Sequence, residues 1–328
     1  MADILCFGEL LIDFVPLKNG DKLKDVHQFQ KEAGGAPANV SAAIAHLGGH
    51  VSMIGKVGAD PFGDFLIETL RKKGVDTKTL LQTTEAKTAL AFVSLDNDGE
   101  RDFLFYREPS ADMLFKPTDL QEEWFKRAAI FHFGSISLIT NPVREATLQA
   151  IHYAKQNEMI ISFDPNIRLP LWGDEQQARE AILGQVPNVD ILKLSEEELA
   201  FLTGDEEELT AAKSLFIGSV KLVLVTKGEA GCAYYTKTSS GYMTAIKVKA
   251  VDTTGAGDAF VGGFLYRLAP LLKYELLQDI LSDPDLLEML LTFANVCGAL
   301  TATRRGAISA LPRLEDVQSL LKDQINRV

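Results

Sequence analysis

Short apolar, β-branched runs alternate along this chain with amphipathic stretches of helical length, and no other feature narrows the fold so far. The strand-like runs include Ile4–Phe7, 51–54, Ile130–Phe133, Ile160–Phe163, 191–194 and Leu222–Thr226, with helical patterns over Pro61–Lys73, 142–156 and 176–183. Such alternation builds parallel βαβ units whose sheet is covered by helices. The expected class is therefore α/β with a mainly parallel central sheet. One region departs from this pattern. Residues 88–107 read TALAFVSLDNDGERDFLFYR, two alternating runs around Asn97-Asp98-Gly99, which is a hairpin signal. Residues 10–15 and 26–31 also read as extended. These segments, near 10–31 and 88–108, predict a small β lid beside the α/β body, with the whole chain 1–328 forming one domain. Ligands of open α/β sheets bind beyond the carboxyl ends of the strands. A lid over that end would keep water out.

The 328 residues are 46% hydrophobic, enough for one large core or two small ones. The formal charge of −12 is spread along the chain. It argues against nucleic acid and anionic membranes as partners, since both call for clustered Lys and Arg. Any phosphate must be attracted locally, by backbone N–H groups and a few cations. Cys6, Cys232 and Cys297 are far apart, with no CxxC, and none of the five histidines stands in an HExxH. That is the usage of a reducing compartment. Asp3, Glu9 and Asp13 interrupt the apolar N-terminal stretch and no basic region precedes it, so no secretory leader is expected. The longest uncharged stretch, 289–303, is too short and too rich in small and polar residues to span a bilayer. The expected location is cytoplasmic.

The chemistry is concentrated in Val251-Asp252-Thr253-Thr254-Gly255-Ala256-Gly257-Asp258-Ala259-Phe260, followed by a helix-compatible stretch. Gly255 and Gly257 let the backbone turn and expose successive N–H groups. A helix start adds unpaired N–H groups and the positive end of its dipole. Together they suit a phosphoryl group in transit. Asp258 at that helix start reads either as a helix cap or as a general base for an attacking hydroxyl. A dinucleotide-binding GxGxxG is not completed, because Phe260 stands where the third glycine would be. The GxxxxGK[ST], HRD and DFG motifs of other ATP-using proteins do not occur.

DTTGAGDAF resembles the C-terminal signature of the ribokinase-like (PfkB) sugar kinases. Gly34-Gly35-Ala36-Pro37-Ala38-Asn39-Val40, leading into SAAIAHLGG, resembles their early signature. FGELLIDFVP, FYREPSADML, HFGSISLI, FDPNIR and FLTG are similar to fructokinases, the plant type above all, so the likeness runs over nearly the whole chain. The resemblance implies a ribokinase-like three-layer sandwich with a small β-sheet lid. It implies ATP-dependent phosphorylation of a sugar primary hydroxyl, D-fructose to D-fructose 6-phosphate being the first choice. Asp258 would take the proton, and the N–H groups of Gly255, Ala256 and Gly257 would hold the phosphoryl group.

The further site residues come from the same resemblance. Asp13, Gly34, Gly35 and Asn39 would bind sugar hydroxyls, with Arg107 over the substrate and Asn166 and Arg168 near the phosphates. Without the family, Asp13 reads equally well as a solvent-facing strand position, Arg107 as a solvated hairpin arginine and Arg168 as a surface ion pair. Lys193, Thr226, Gly228, Gly231, Asn295, Cys297 and Gly298 would line ATP, although the helix around Asn295 reads otherwise as plain core. Glu198 would hold Mg2+ through water, and Ser195 stands where the family has Asn. Glu196 and Glu197 read as a charged first helical turn. Asp252, Thr254, Thr301, Gly306 and Ala310 would form a monovalent-cation site for K+; Ala310 offers only its carbonyl where ribokinase has a serine. Apolar lid residues such as Phe92, Phe103 and Phe105 suggest a homodimer through the lid. Rival acceptors are 2-keto-3-deoxygluconate, which the Arg107 motif keeps open, ribose and a nucleoside. A rival of another class is a non-catalytic scaffold or regulator.

Overall fold

The structure is a computed structural model that describes residues 3–18, 20–95 and 101–325. Its strands are β1 (Ile4–Phe7), β2 (Leu11–Pro16), β3 (Phe29–Gly34), β4 (Val51–Gly58), β5 (Leu80–Thr83), β6 (Ala89–Leu95), β7 (Arg101–Tyr106), β8 (Ile130–Phe133), β9 (Ile160–Phe163), β10 (Ile191–Ser195), β11 (Leu222–Thr226), β12 (Gly231–Tyr235) and β13 (Ser240–Thr244). Its α-helices are α1 (Ala36–His46), α2 (Pro61–Lys73), α3 (Val143–Gln156), α4 (Glu175–Leu183), α5 (Glu196–Thr203), α6 (Glu208–Ser214), α7 (Ala256–Leu268), α8 (Leu277–Ser282), α9 (Pro284–Ala302) and α10 (Leu314–Ile325).

Nine strands form the large sheet in the order β13-β12-β11-β10-β9-β8-β1-β4-β5. All neighbours from β11 to β5 are parallel, and β12 and β13 add an antiparallel hairpin at one edge. Strands β1, β4 and β8 are buried throughout, as a parallel sheet covered on both faces requires. One face packs against Val40 and Ile44 of α1, Leu66 and Leu70 of α2, Phe264 and Leu265 of α7, and Leu290 of α9. The other packs against Ala150 of α3, Ile182 of α4, Leu199 of α5 and Ala212 of α6. The result is the three-layer sandwich expected from the sequence.

The chain leaves this body twice beyond the carboxyl ends of parallel strands. After β1 it builds β2 and β3; after β5 it builds β6 and β7. These four strands form a second sheet, ordered β3-β2-β6-β7. Its segments match the two extended regions read from the sequence, although the Asn97-Asp98-Gly99 turn lies outside the described residues. The register pairs Asp13 with Glu32 and Ala91, and Ala91 with Phe105, so this row turns one way. Phe14, Phe92 and Leu104 form the row that turns the other way, where Phe14 stacks on Phe92 at 4.8 Å.

Local chemistry sets where the elements start and stop. Asp60 caps α2 by accepting from the N–H groups of Phe62 and Gly63, with Pro61 at the first helical position. The same carboxylate accepts from Thr88 N–H at 2.9 Å, which ties α2 to the start of β6. Helix α9 corrects one expectation. It begins at Pro284, ahead of the uncharged stretch 289–303, and is long and apolar enough to cross a membrane by length and composition, yet 61% of its most apolar window is buried inside the fold. It packs closely on α7: a Cβ added at Gly263 would lie 2.7 Å from Cys297 Sγ and 3.4 Å from Ala294 Cα. Gly263→Ala should therefore cost about 1–3 kcal/mol, as overpacking does. Urea unfolding should show a lower midpoint with an unchanged slope; an unmoved midpoint would mean the two helices part without cost.

Candidate active site

A cavity of about 450 Å³ opens between the inner face of the small sheet, the carboxyl ends of the central strands and the start of α7. Asp13, Gly35, Asn39, Asn166, Arg168, Lys193, Asp252, Thr254, Gly255, Gly257, Asp258 and Gly306 all line it, so residues spread over nearly the whole sequence converge here.

Asp258 sits in the first turn of α7 with only 7% of its surface exposed. Asn39 Nδ2 donates to its Oδ2 at 2.7 Å, and Asn166 Nδ2 approaches Oδ1 at 3.5 Å. Asn166 holds a positive φ of 45°, a conformation Asn tolerates better than most residues. Burial pushes the Asp258 carboxyl up to about 6, and the nearby Asp164 adds to the rise; Asn39, Lys193 and Arg168 restrain it. Gly255, at φ 75°, caps the helix without a side chain, and a Cβ there would press on Ala307 at 2.8 Å. The first N–H groups of a helix have no intrahelical acceptor. Gly257 lines the cavity, whereas the N–H of Ala256, expected to supply another, donates to Thr253 O at 3.2 Å. A carboxylate poised near neutrality beside an open helix terminus can take a proton from a hydroxyl while the terminus receives an anion.

Opposite lies a wall of carboxyl groups and glycines. Asp13 packs directly on Gly34, where any Cβ would collide with its Oδ2. Burial raises Asp13 to about 7, Glu32 and Asp258 push the same way, and Arg168 opposes them. Gly35 has a φ of 107° and abuts the carbonyl of Glu9, so no side chain is tolerated. It cannot cap α1 with a side chain of its own. Glu9 does so from another loop: its Oε1 accepts from Ala36 N–H at 2.8 Å. Glu9 is 2% exposed, and burial raises it to about 7.

The third side carries cations. Lys193 Nζ lies 3.0 Å from Asp164 Oδ2, both side chains being nearly buried. Arg168 is half-buried at the cavity wall. Glu198 accepts from Ile167 N–H at 2.7 Å and from Ser195 N–H at 2.9 Å, while Ser195 Oγ accepts from Glu198 N–H at 3.1 Å. This capping box fixes the 164–168 loop to the start of α5. Burial raises the Glu198 carboxyl, opposed by Lys193. Each Glu198 oxygen keeps a free lone pair, which fits a water-mediated hold on a cation better than direct ligation.

Several expected residues lie elsewhere. Arg107 is neither solvated nor among the cavity-lining residues: it is 5% exposed and its Nε donates to Asp112 at 2.9 Å. Thr226 ends β11, Gly228 follows it and Gly231 begins β12, and none of the three is among the cavity-lining residues. Asn295 reaches Met243 O at 3.5 Å. Cys297 and Gly298 are packed against α7, Cys297 on Gly263 and Gly298 on the carbonyl of Ala256. Of the cation set, Asp252 already accepts from Thr254 Oγ1 at 2.6 Å and from Gly306 N–H at 2.9 Å. Thr301 Oγ1 donates to Cys297 O at 2.9 Å, and Ala310 is fully buried. This set retains mostly carbonyl oxygens.

The family model for pfkB family carbohydrate kinases matches residues 1–314. The chain belongs to the pfkB family. It is 50% identical over 322 residues to a protein named Probable fructokinase-6, chloroplastic, of Arabidopsis thaliana, covering 97% of this chain and 82% of that one. Among solved structures, a fructokinase with bound ATP from Xylella fastidiosa superposes with a TM-score of 0.88 at 38% identity, over 99% of both chains. A fructokinase double mutant from Vibrio cholerae O395, in a fructose, ADP and potassium ion bound form, gives 0.86 at 37% identity over 98% of both.

Within this pfkB kinase, Glu9, Glu32, Asp164 and Arg305 are site residues that sequence reading did not single out. Glu9 and Asp164 each stand directly beyond a strand-like run, the place where ligand groups are expected in α/β sheets, and that signal could have found them. Because Glu9 is raised from 4.5 to about 7, the folded state holds a proton that the unfolded chain has released. The stability this gives is full below about 4.5 and is lost as pH rises through about 7. Glu9→Gln should therefore gain about 1–3 kcal/mol relative to the unmodified chain between pH 5 and pH 8. Urea unfolding at the two pH values measures it, and a flat difference would deny the burial cost.

Proposed function

We propose that this chain transfers the γ-phosphoryl group of ATP to a primary hydroxyl of D-fructose, giving D-fructose 6-phosphate and ADP. The observation that carries the reading is the Asp258 carboxyl, held by Asn39 beside the open start of α7 inside a sugar-sized cavity. The fructokinase names and ligands of its relatives support the choice of acceptor. The Arg107 motif had kept a keto-acid acceptor open; Arg107 is tied to Asp112 and is not itself a lining residue, and the fructokinase relatives put fructose ahead.

Asp13, the Gly34–Gly35 turn and Asn39 orient the sugar hydroxyls. Asp258 accepts the proton of the attacking hydroxyl as its oxygen meets phosphorus, and the bond to the ADP oxygen breaks. The Gly255–Gly257 turn receives the developing charge. The nucleotide extends from Lys193 toward Thr226 and Gly228, with Gly231 and the Asn295 side of α9 beyond. Glu198 would hold Mg2+ through water, and the ion would neutralise phosphate charge there. Potassium would draw on Asp252 and the carbonyls around Gly306; the potassium-bound relative supports it, while the committed hydroxyl of Thr301 weakens it. The small sheet serves as a lid, and its outward row, with Leu104 46% and Tyr106 58% exposed, is the face for a homodimer. A cytoplasmic setting accords with three buried, unpaired cysteines.

The test is ADP release from Mg–ATP with fructose, glucose, ribose, adenosine and 2-keto-3-deoxygluconate. Fructose should give the highest kcat/KM, and Asp258→Ala should lower kcat by about 10²–10⁴-fold. Near-normal turnover in that variant would sink the mechanism. Asp258 must be ionised to act, so activity should fall as pH drops through about 6. A kcat profile flat from pH 8 to 5 would remove Asp258 as the base.

A further inference from the structure

We infer that Lys193 contacts the phosphoryl group in flight as a catalytic cation, and that Asp164 is the positioning residue that holds its ammonium there. The inference rests on the phosphotransferase reading above. It assigns Lys193 to the reacting centre rather than to the nucleotide alone, and gives Asp164 its first role.

Lys193 stands on β10 with only 8% of its surface exposed, yet it lines the cavity. A Cβ added at Gly257 would lie 3.3 Å from its Nζ, so the ammonium rests against the glycine turn that lines the cavity at the start of α7. A positive charge and the positive end of a helix thus meet at one place. Asp164, 2% exposed, sits 3.0 Å behind it. The pair is not explained by stability. Burying an ammonium and a carboxylate costs several kcal/mol per ion, and a neutral pair of similar shape often does as well. Nor is Asp164 saturated: apart from the Lys193 ammonium, neither of its oxygens has a hydrogen-bond partner among the described residues, whereas Asp112 is held by both Arg107 and Ser110. Its one close partner is the lysine it positions.

The surroundings keep Lys193 charged. Burial alone would favour the neutral amine, but Asp164, Glu198 of α5 and Asp258 of α7 more than offset it, and the net shift is upward. His132 on β8 also faces it and is held neutral, lowered to about 3 by burial and by Lys193 itself. Asp258 is faced by Asn39 from α1, Asp13 from β2, Asn166, Arg168 and Asp164 from the segment after β9, and Lys193 from β10. Asp164 raises the base and Lys193 lowers it, so one pair sets the base and serves the anion. Lys193 stays protonated throughout: the hydroxyl proton goes to Asp258, the oxygen–phosphorus bond forms, and ADP leaves.

The experiment compares kcat, KM and the acid limb of the pH profile in the unmodified enzyme, Lys193→Met, Asp164→Asn and the double variant. Lys193→Met should lower kcat by about 10²–10³-fold, as loss of a transition-state donor does, while changing the sugar KM by less than about threefold. Its acid limb should move to higher pH, and that of Asp164→Asn to lower pH. The double variant buries a neutral pair, keeps the kcat loss, and supplies the answer if Lys193→Met does not fold. A kcat within about threefold of the unmodified enzyme in either Lys193 variant would overturn the catalytic role. An unmoved limb in Asp164→Asn would overturn the role of Asp164. An unmodified enzyme that releases no ADP with any sugar would instead take down the phosphotransferase reading, and this inference with it.

Discussion

A carboxyl group held near neutrality while nearly dry is the constraint to which the rest of this structure answers. Asp258 is shielded enough to be raised toward neutrality, yet Asn39, Lys193 and Arg168 keep its charged form accessible. Those partners come from α1, β10 and the loop after β9, so none can be placed without the three-layer body. Helix α1 reaches Asp258 because it lies tightly on α7, where a Cβ at Gly262 would meet Ala43 at 2.6 Å. The Glu9 carboxyl then pins the start of α1 from outside, as Gly35 cannot. Packing, capping and acidity are here one arrangement.

The departure of Ser195 from the family's Asn finds its place in that arrangement. Its hydroxyl is committed to the Glu198 N–H, and the Glu198 carboxylate returns to Ser195 and crosses to Ile167. The start of α5 is thereby stapled to the loop that carries Asp164, Asn166 and Arg168. A residue that can cap a helix is enough for this role. Glu196, read as a plain charged turn, pairs with Lys227 at 3.0 Å beside β11.

Much of this was legible in the sequence, for identifiable reasons. The buried parallel strands announced themselves as short, mostly apolar runs, and the lid segments by alternation where helices were otherwise the rule. The Gly255–Asp258 turn was legible because its glycines have no other use. Strands β5, β12 and β13 were not read: β5 has four residues, β12 opens on Gly231, and β13 alternates half-buried and exposed residues with little apolar content. That Arg107 is buried against Asp112 was not legible, because Asp112 lies in a 3-10 turn that carries no sequence signal. Cys297 and Gly298 were placed on ATP because the family offered a role, whereas small residues on a helix also serve close helix crossing. Asp164 passed unnoticed because a lone acid beyond a strand gains meaning only when its lysine is seen.

The hairpin β12–β13 at the end of the large sheet has a consequence for how copies of this chain meet. A parallel sheet ending at β11 would present a fully apolar edge, open to pairing with any other strand. The hairpin covers it, and its outer strand faces solvent with Ser240, Tyr242 and Thr244. The opposite edge is the four-residue β5, too short to serve as a template. Edge-to-edge growth of the large sheet is thus discouraged at both ends. The fold therefore protects its large sheet by geometry at both edges rather than by charge.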